Sequence, residues 1–134
     1  MPKPTMEVLS DDECTDLLRQ VPVGRIAVTV DALPVILPVN FAVVDGAVVF
    51  RTLEGTKLAA ATASAVVAFE VDLYGADGRT GWSVMVQGMA AEVTDPASLQ
   101  EVDSASLDAW ALDGAADHVV RIEVHRVSGR RFTG

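Results

Sequence analysis

The dipeptide Asp45-Gly46 lies between two long apolar runs, Leu33 to Val44 and Ala47 to Thr52. Both of its positions tolerate positive φ, as a two-residue hairpin turn requires, so the two runs are expected to pair antiparallel. The rest of the chain has the same texture. Arg25 to Val30 alternates as a strand and stops at Asp31-Ala32. Ala65 to Val71 is an apolar strand, and Asp72 to Gly81, with three glycines, is a loop. From Trp82 to Val93 another strand sets Trp82, Val84, Val86 and Gly88 against Ser83, Met85, Gln87 and Met89. Val119 to Val127 is the last strand. Pro34 and Pro38 cannot donate ladder hydrogen bonds, so they belong at an edge, a strand start or a bulge.

Three helices interrupt the strands. Ser10-Asp11-Asp12-Glu13 has capping-box spacing, with Leu9 stapled against Cys14 and Leu17, Leu18 and Val21 continuing the apolar stripe up to Pro22. Thr56 to about Ser64 is a short helix of strong helix formers. Asp95-Pro96 opens a third, an N-cap followed by proline at the first helical position, which runs to about Asp103. Residues 104–117 cross the surface as a loop anchored by Trp110. Six short strands joined this way leave costly edges unless the sheet closes. The expected fold is therefore mainly β: a six-stranded antiparallel barrel with flanking helices, one domain over 1–134, with residues 1–8 a loose arm.

Half the residues are hydrophobic, mostly Ala and Val, and 22% are charged, as in a globular chain. The formal net charge of −9 repels a phosphate backbone and speaks against nucleic-acid binding. It also makes clustered positive charge informative. No apolar stretch spans a bilayer, and Met1 to Thr5 lacks the apolar core of a signal peptide. The single cysteine, Cys14, fits a reducing compartment, so a cytoplasmic location is expected.

Three segments could carry chemistry. Phe50-Arg51-Thr52-Leu53-Glu54-Gly55-Thr56-Lys57-Leu58 passes from a strand end through a glycine turn into a helix start. Arg51, Thr52, Thr56 and Lys57 supply donors of the kinds a phosphate needs. In Pro38-Val39-Asn40 the proline leaves backbone groups for a partner, and Asn40 offers a donor and an acceptor to a flat heterocycle. In Gly81 to Gly88, Trp82 could stack on a ring or pack at a subunit contact, while Ser83 and Gln87 present hydrogen-bonding tips on one face.

In order along the chain, Val23-Gly24-Arg25-Ile26-Ala27, Pro38-Val39-Asn40-Phe41, Phe50-Arg51-Thr52 with Gly55-Thr56-Lys57-Leu58, Val67 to Asp72, Gly81-Trp82-Ser83-Val84 with Gly88, and Arg121-Ile122 with Gly129-Arg130-Arg131 resemble the FMN-binding split-barrel family. That family includes the pyridoxamine 5′-phosphate oxidase-like flavoproteins and a nitroimidazole-reductase-like branch. The resemblance implies a six-stranded split barrel, a homodimer with an FMN at each of two interface sites, and oxidoreductase chemistry on a small organic acceptor. By position, Pro38, Val39 and Asn40 would line the flavin ring. Arg51, Thr52, Thr56 and Lys57 would hold the phosphate, and Trp82, Ser83 and Gln87 would approach from the dimer contact. The arginine- and histidine-bearing segment with which true pyridoxamine phosphate oxidases clamp their substrate does not follow Arg131, so that activity is not expected. Relatives that use a deazaflavin coenzyme or haem leave those cofactors as alternatives. A carrier or sensor without turnover, or a barrel with an empty site, also stays open.

No side chain is singled out as an acid, base or nucleophile. His118 and His125 with one cysteine give no metal pattern, and no triad is present. His118 is expected at the surface. Arg121, Glu123 and His125 would share one face of the last strand.

Overall fold

The chain was analysed as a computed structural model that describes residues 3–53, 56–104 and 117–134. The strands are β1 (Thr5–Val8), β2 (Val23–Val30), β3 (Leu33–Val44), β4 (Ala47–Leu53), β5 (Ala65–Tyr74), β6 (Gly81–Glu92) and β7 (Asp117–Thr133). The helices are α1 (Asp11–Leu18), α2 (Lys57–Ala61) and α3 (Pro96–Ser104). Every ladder is antiparallel. Strands β7-β4-β3-β2-β5-β6 follow one another, and β6 pairs back onto β7, so these six close a ring.

The two-residue turns behave as the sequence requires. Asp45 and Gly46 have φ of 51° and 74°, and Asp31 and Ala32 have 52° and 65°. In the first, glycine meets the left-handed geometry without steric cost, whereas Ala32 has to carry a Cβ into it.

The structure corrects two expectations. Among the described residues there are seven strands rather than six, and residues 5–8 are not a loose arm. The last strand runs past Val127 to Thr133. One of its edges is paired with β4 only from Asp117 to Ile122, and farther along the same strand Thr5 to Val8 pair with Thr133 to Arg130. The other strand limits move as well, since β5 extends to Tyr74 before the loop begins. The expected loop over 104–117 and its anchor Trp110 lie outside the described residues.

The barrel core is built from the inward-facing half of each alternation. Phe50, Phe69, Ile26 and Ile122 are wholly buried, and Phe41 meets Phe69 edge to face at 4.8 Å. Helix α1 carries the expected capping box and lays Cys14, Leu17 and Leu18 into this core. Helix α2 adds Leu58 and Ala61 to it. Opposite Gly88 a β-bulge breaks the β6–β7 register, where a Cβ would lie 1.7 Å from the Glu123 carbonyl oxygen. Only glycine permits that approach.

A second, smaller apolar layer lies outside the barrel. There Val102 and Leu99 of α3 cover Val49, Val119, Ala42 and Val44. The cap of α3 is the expected one: Asp95 Oδ2 accepts from the Ser98 amide at 3.1 Å.

Candidate functional site

The site follows from where two strands separate. Phe41↔Phe50 is the last rung of the β3–β4 ladder. Beyond it β3 continues back through Asn40, Val39 and Pro38, paired with Val23, Gly24 and Arg25 of β2. Strand β4 continues through Arg51, Thr52 and Leu53, paired with Val119, His118 and Asp117 of β7. The barrel splits there, and Asn40 and Arg51 stand at the first position past the last rung.

Because Phe41 and Phe50 point into the core, strand alternation directs Asn40 and Arg51 to the outer side. Both are half-buried, and the Nε of Arg51 is fully enclosed. Thr52 is buried, and its hydroxyl lies 3.2 Å from that of Thr56. The Thr56 Oγ1 also accepts from the Ala59 amide at 3.1 Å as the N-cap of α2. Two hydroxyls therefore meet where β4 runs into α2, next along the chain from Arg51, whose side chain takes the opposite face of β4. Residues 54 and 55 and the side chain of Lys57 lie outside the described residues. A separate open cleft of about 390 Å³, lined by Val30, Asp31, Leu33, Val35, Leu37 and Leu58, lies beside α2 on the face of β3 that carries Val39 rather than Pro38 and Asn40. Its walls are apolar apart from Asp31, the type of lining a flat ring system requires.

The remaining expected residues divide by face. Pro38 shares the outer face with Asn40, while Val39 is turned into the core. Trp82 is also a core residue, 8% exposed, on the inward face of β6. Ser83 and Gln87 are on the opposite, outward face. Within one chain they do not meet Asn40, since β2 and β5 intervene and three strand spacings amount to about 14 Å.

Those intervening strands carry a cluster that the sequence reading passed over. Arg25 Nη1 is 3.2 Å from Glu70 Oε1 and 3.2 Å from Asp72 Oδ2. The register continues Pro38↔Arg25↔Glu70↔Met85 as one row across four strands. Partial burial raises the Glu70 carboxyl to about 7, the neighbouring Asp72 adds to the rise, and Arg25 offsets part of it. The sequence gives only an arginine and two acids 45 and 47 residues away. Only the register brings them together.

Other titratable groups are accounted for locally. His118 is half-buried and pairs through Nδ1 with Glu92, more enclosed than the surface position expected of it. Arg121 bonds Glu123 at 2.9 Å, while His125 is exposed beside the bulge. Cys14 is fully buried, and desolvation pushes its thiol up, helped by Asp11 and Glu13. It is a small core hydrophobe. Among the described residues no group of three or more His, Cys, Asp or Glu is placed to hold a metal ion. No described helix is long and apolar enough to cross a membrane.

This geometry has counterparts. The family described as pyridoxamine 5′-phosphate oxidase matches residues 10–131. The Mycobacterium tuberculosis protein Rv0080 is 43% identical over 129 residues, covering 92% of this chain and 84% of that protein. The structure of a FAD-binding protein from Mycobacterium smegmatis superposes with a TM-score of 0.82 at 43% identity, over 95% of this chain and 100% of the other. A FAD-binding protein from Mesorhizobium loti gives 0.78 at 27% identity, over 98% and 100%. Sequence match and shared fold agree over nearly the whole length, and the chain belongs to the pyridoxamine 5′-phosphate oxidase family.

Proposed function

We propose that this chain binds a flavin nucleotide, FMN in the first instance, where β3 and β4 part, and acts as a homodimeric oxidoreductase on a small organic acceptor. The observation that carries the reading is the parting of β3 and β4 at the Phe41↔Phe50 rung, which leaves Asn40 and Arg51 on the outer side, with the Thr52 and Thr56 hydroxyls 3.2 Å apart just beyond. A phosphate needs a cation and short polar donors, and a flavin ring needs an apolar wall with a few hydrogen-bonding groups. The split offers the cation and the hydroxyls, and the cleft beside α2 offers an apolar wall. Arg51, with Lys57 at the start of α2, would neutralise the phosphate, and Thr52 and Thr56 would donate hydroxyl hydrogens to it. Pro38 and Asn40 would lie along the ring, with Val39 holding that stretch of β3 from inside.

When bound, the flavin supplies the electron transfer, and the protein binds, orients and shields it. Ser83 and Gln87 would reach the ring from a second copy, since within one chain they face away across the sheet. Trp82 would fix β6 from within the core. The FAD-binding similar structures make FAD the second ligand to test, because the two flavins share a phosphate next to the ribityl chain. The lone buried thiol of Cys14 is compatible with a cytoplasmic setting.

The test is a titration of purified protein with FMN and with FAD, following flavin fluorescence and the visible spectrum. Saturable binding, weakened about 10- to 100-fold in Arg51→Ala, supports the reading. Failure to retain either flavin contradicts it. Binding with no reduction by NADH or NADPH would leave a flavin-binding module without that turnover.

A further inference from the structure

Where β2 begins, one short stretch of the β3 edge is left open. The two-residue turn at Asp31-Ala32 makes Val30↔Leu33 a doubly hydrogen-bonded rung. Such rungs recur at every second pair, through Val28↔Val35 and Ile26↔Leu37 to Gly24↔Val39. The next in the series sets Pro22 opposite Phe41. There the Phe41 amide donates to the Pro22 carbonyl at 3.2 Å, but proline has no N–H to return the bond, so the Phe41 carbonyl is left over. Counted in the same way from the Asp45-Gly46 turn, Ala42 and Val44 direct their backbone groups to β4. Those of Val43 face the other way, along the same edge as Phe41. Strand β2 starts only at Val23, and among the described residues no turn, cap or loop bond reaches the Phe41 carbonyl or the Val43 amide.

These groups border a cleft of about 450 Å³ between the end of α1 and β3, whose lining includes Arg19, Gln20, Pro22, Phe41 and Val43. Arg19 is exposed, and among the described residues it makes no ion pair, on a chain of net charge −9. We infer that this cleft binds a small planar anion whose ring edge carries an N–H beside an acceptor, as a lactam or an aminopyrimidine does. The ligand N–H donates to the Phe41 carbonyl, its neighbouring acceptor takes the Val43 amide, and its acid group pairs with Arg19. A strand sets the carbonyl of one residue beside the amide two residues on along a single edge, which is the spacing that such a ring edge matches. The volume suits a small molecule. An added peptide strand fits less well, because the free edge stops at the Asp45-Gly46 turn and offers one such pair of groups where strand addition uses several. The cleft lies at the edge of β3, while Asn40 and Arg51 take its outer side, so the inference does not rest on flavin binding.

Two probes carry this chemistry from different sources: adenosine monophosphate, with an aminopyrimidine edge and a phosphate, and orotate, with a lactam edge and a carboxylate. Each is titrated into isotope-labelled full-length protein and followed by backbone amide chemical shifts. At least one should saturate below about 1 mM with the Val43 amide among the most shifted signals, and the tighter of the two names the source. Benzoate, flat and acidic but without such an edge, should bind at least about tenfold more weakly. Arg19→Ala should weaken the probe about tenfold. Pro22→Ala returns the missing N–H, which closes the rung on the Phe41 carbonyl. Affinity should then fall about tenfold, while a newly protected amide at position 22 reports the closed rung. Val43→Pro removes the N–H that faces the cleft and should abolish binding. The fold should survive it by circular dichroism, since β3 already carries Pro34 and Pro38 at rungs where the amide faces away from the neighbouring strand. Neither probe saturating by about 10 mM would overturn the inference. So would binding that Pro22→Ala and Arg19→Ala leave unchanged. Shifts at Asn40 and Arg51 without one at Val43 would place the probe at the split and overturn it as well.

Discussion

The barrel has two outer faces made of the same kinds of residue, and they are treated differently. Where β3, β4 and β7 meet α3, Val49 is 1% and Val119 5% exposed, under Leu99 and Val102. Across β5, β2 and the first half of β3, Val66 and Ile36 stand more than two-thirds exposed. Strand alternation makes one face of each strand apolar for the core. It does not explain a β-branched outer face without a cover. The first face is covered within the chain, and the second is suited to cover from outside. Large exposed apolar patches rimmed by polar groups mark contact sites.

The largest expected effect breaks the covered face. Val49→Asp buries a carboxylate under α3 and should destabilise the fold by about 3 kcal/mol or more in urea unfolding. Val66→Asp on the bare face should change it by less than about 0.5 kcal/mol at concentrations where the chain is monomeric. Equal losses at both positions would remove the distinction. Met85→Glu comes next: it sets a charge between Ser83 and Gln87 on the uncharged outer side of β6, where the proposed homodimer makes contact. Its dimer dissociation constant should rise tenfold or more by sedimentation, with the monomer's unfolding midpoint unmoved.

A smaller effect separates the two hairpins. Asp45-Gly46 and Asp31-Ala32 share left-handed turn geometry, but only the second places a side chain beyond Asp in it. Ala32→Gly should stabilise by about 0.5–1 kcal/mol, and Gly46→Ala should cost about the same. Thermal unfolding of the two variants reads both signs.

The smallest effect concerns pH. Glu70 titrates near 7 in the free chain, facing Arg25 from β2, Asp72 on its own strand, uncharged Ser83 and Met85 from β6, and the more distant Arg126 and Arg130 of β7. Its folded pKa lies above the ordinary carboxylate value. Its contribution to monomer stability is therefore fully present below that ordinary value and lost as pH rises through 7. Exposure and screening keep this below about 1 kcal/mol. Urea unfolding of the monomer should therefore show the Glu70 contribution, read as the difference from Glu70→Gln, smaller at pH 8 than at pH 5.

What the sequence revealed was local. The Ser10–Glu13 capping box, the Asp45-Gly46 turn and the inward set Trp82, Val84 and Val86 each depend on residues a few positions apart. The Thr52–Thr56 contact next to Arg51 was also readable, because one short segment carries it. Strand β1 was not, since its partner lies at the far end of the chain and four residues give little pattern. The Arg25–Glu70–Asp72 cluster stayed hidden for the same reason. Strand register decides whether two distant charges touch, and it is set by the whole ring. Alternation had separated Trp82 from Ser83 and Gln87, but which set faces the core is decided by closure of the barrel, which buries Trp82.

The central claim is a flavin-phosphate site where β3 and β4 separate, and the most direct measurement compares FMN with riboflavin on wild type and on Arg51→Ala/Lys57→Ala. Wild type should bind FMN at least tenfold more tightly than riboflavin, and the double variant should bind the two alike, with riboflavin affinity little changed. Equal affinities on the wild type, or an FMN preference that survives the double substitution, would contradict it.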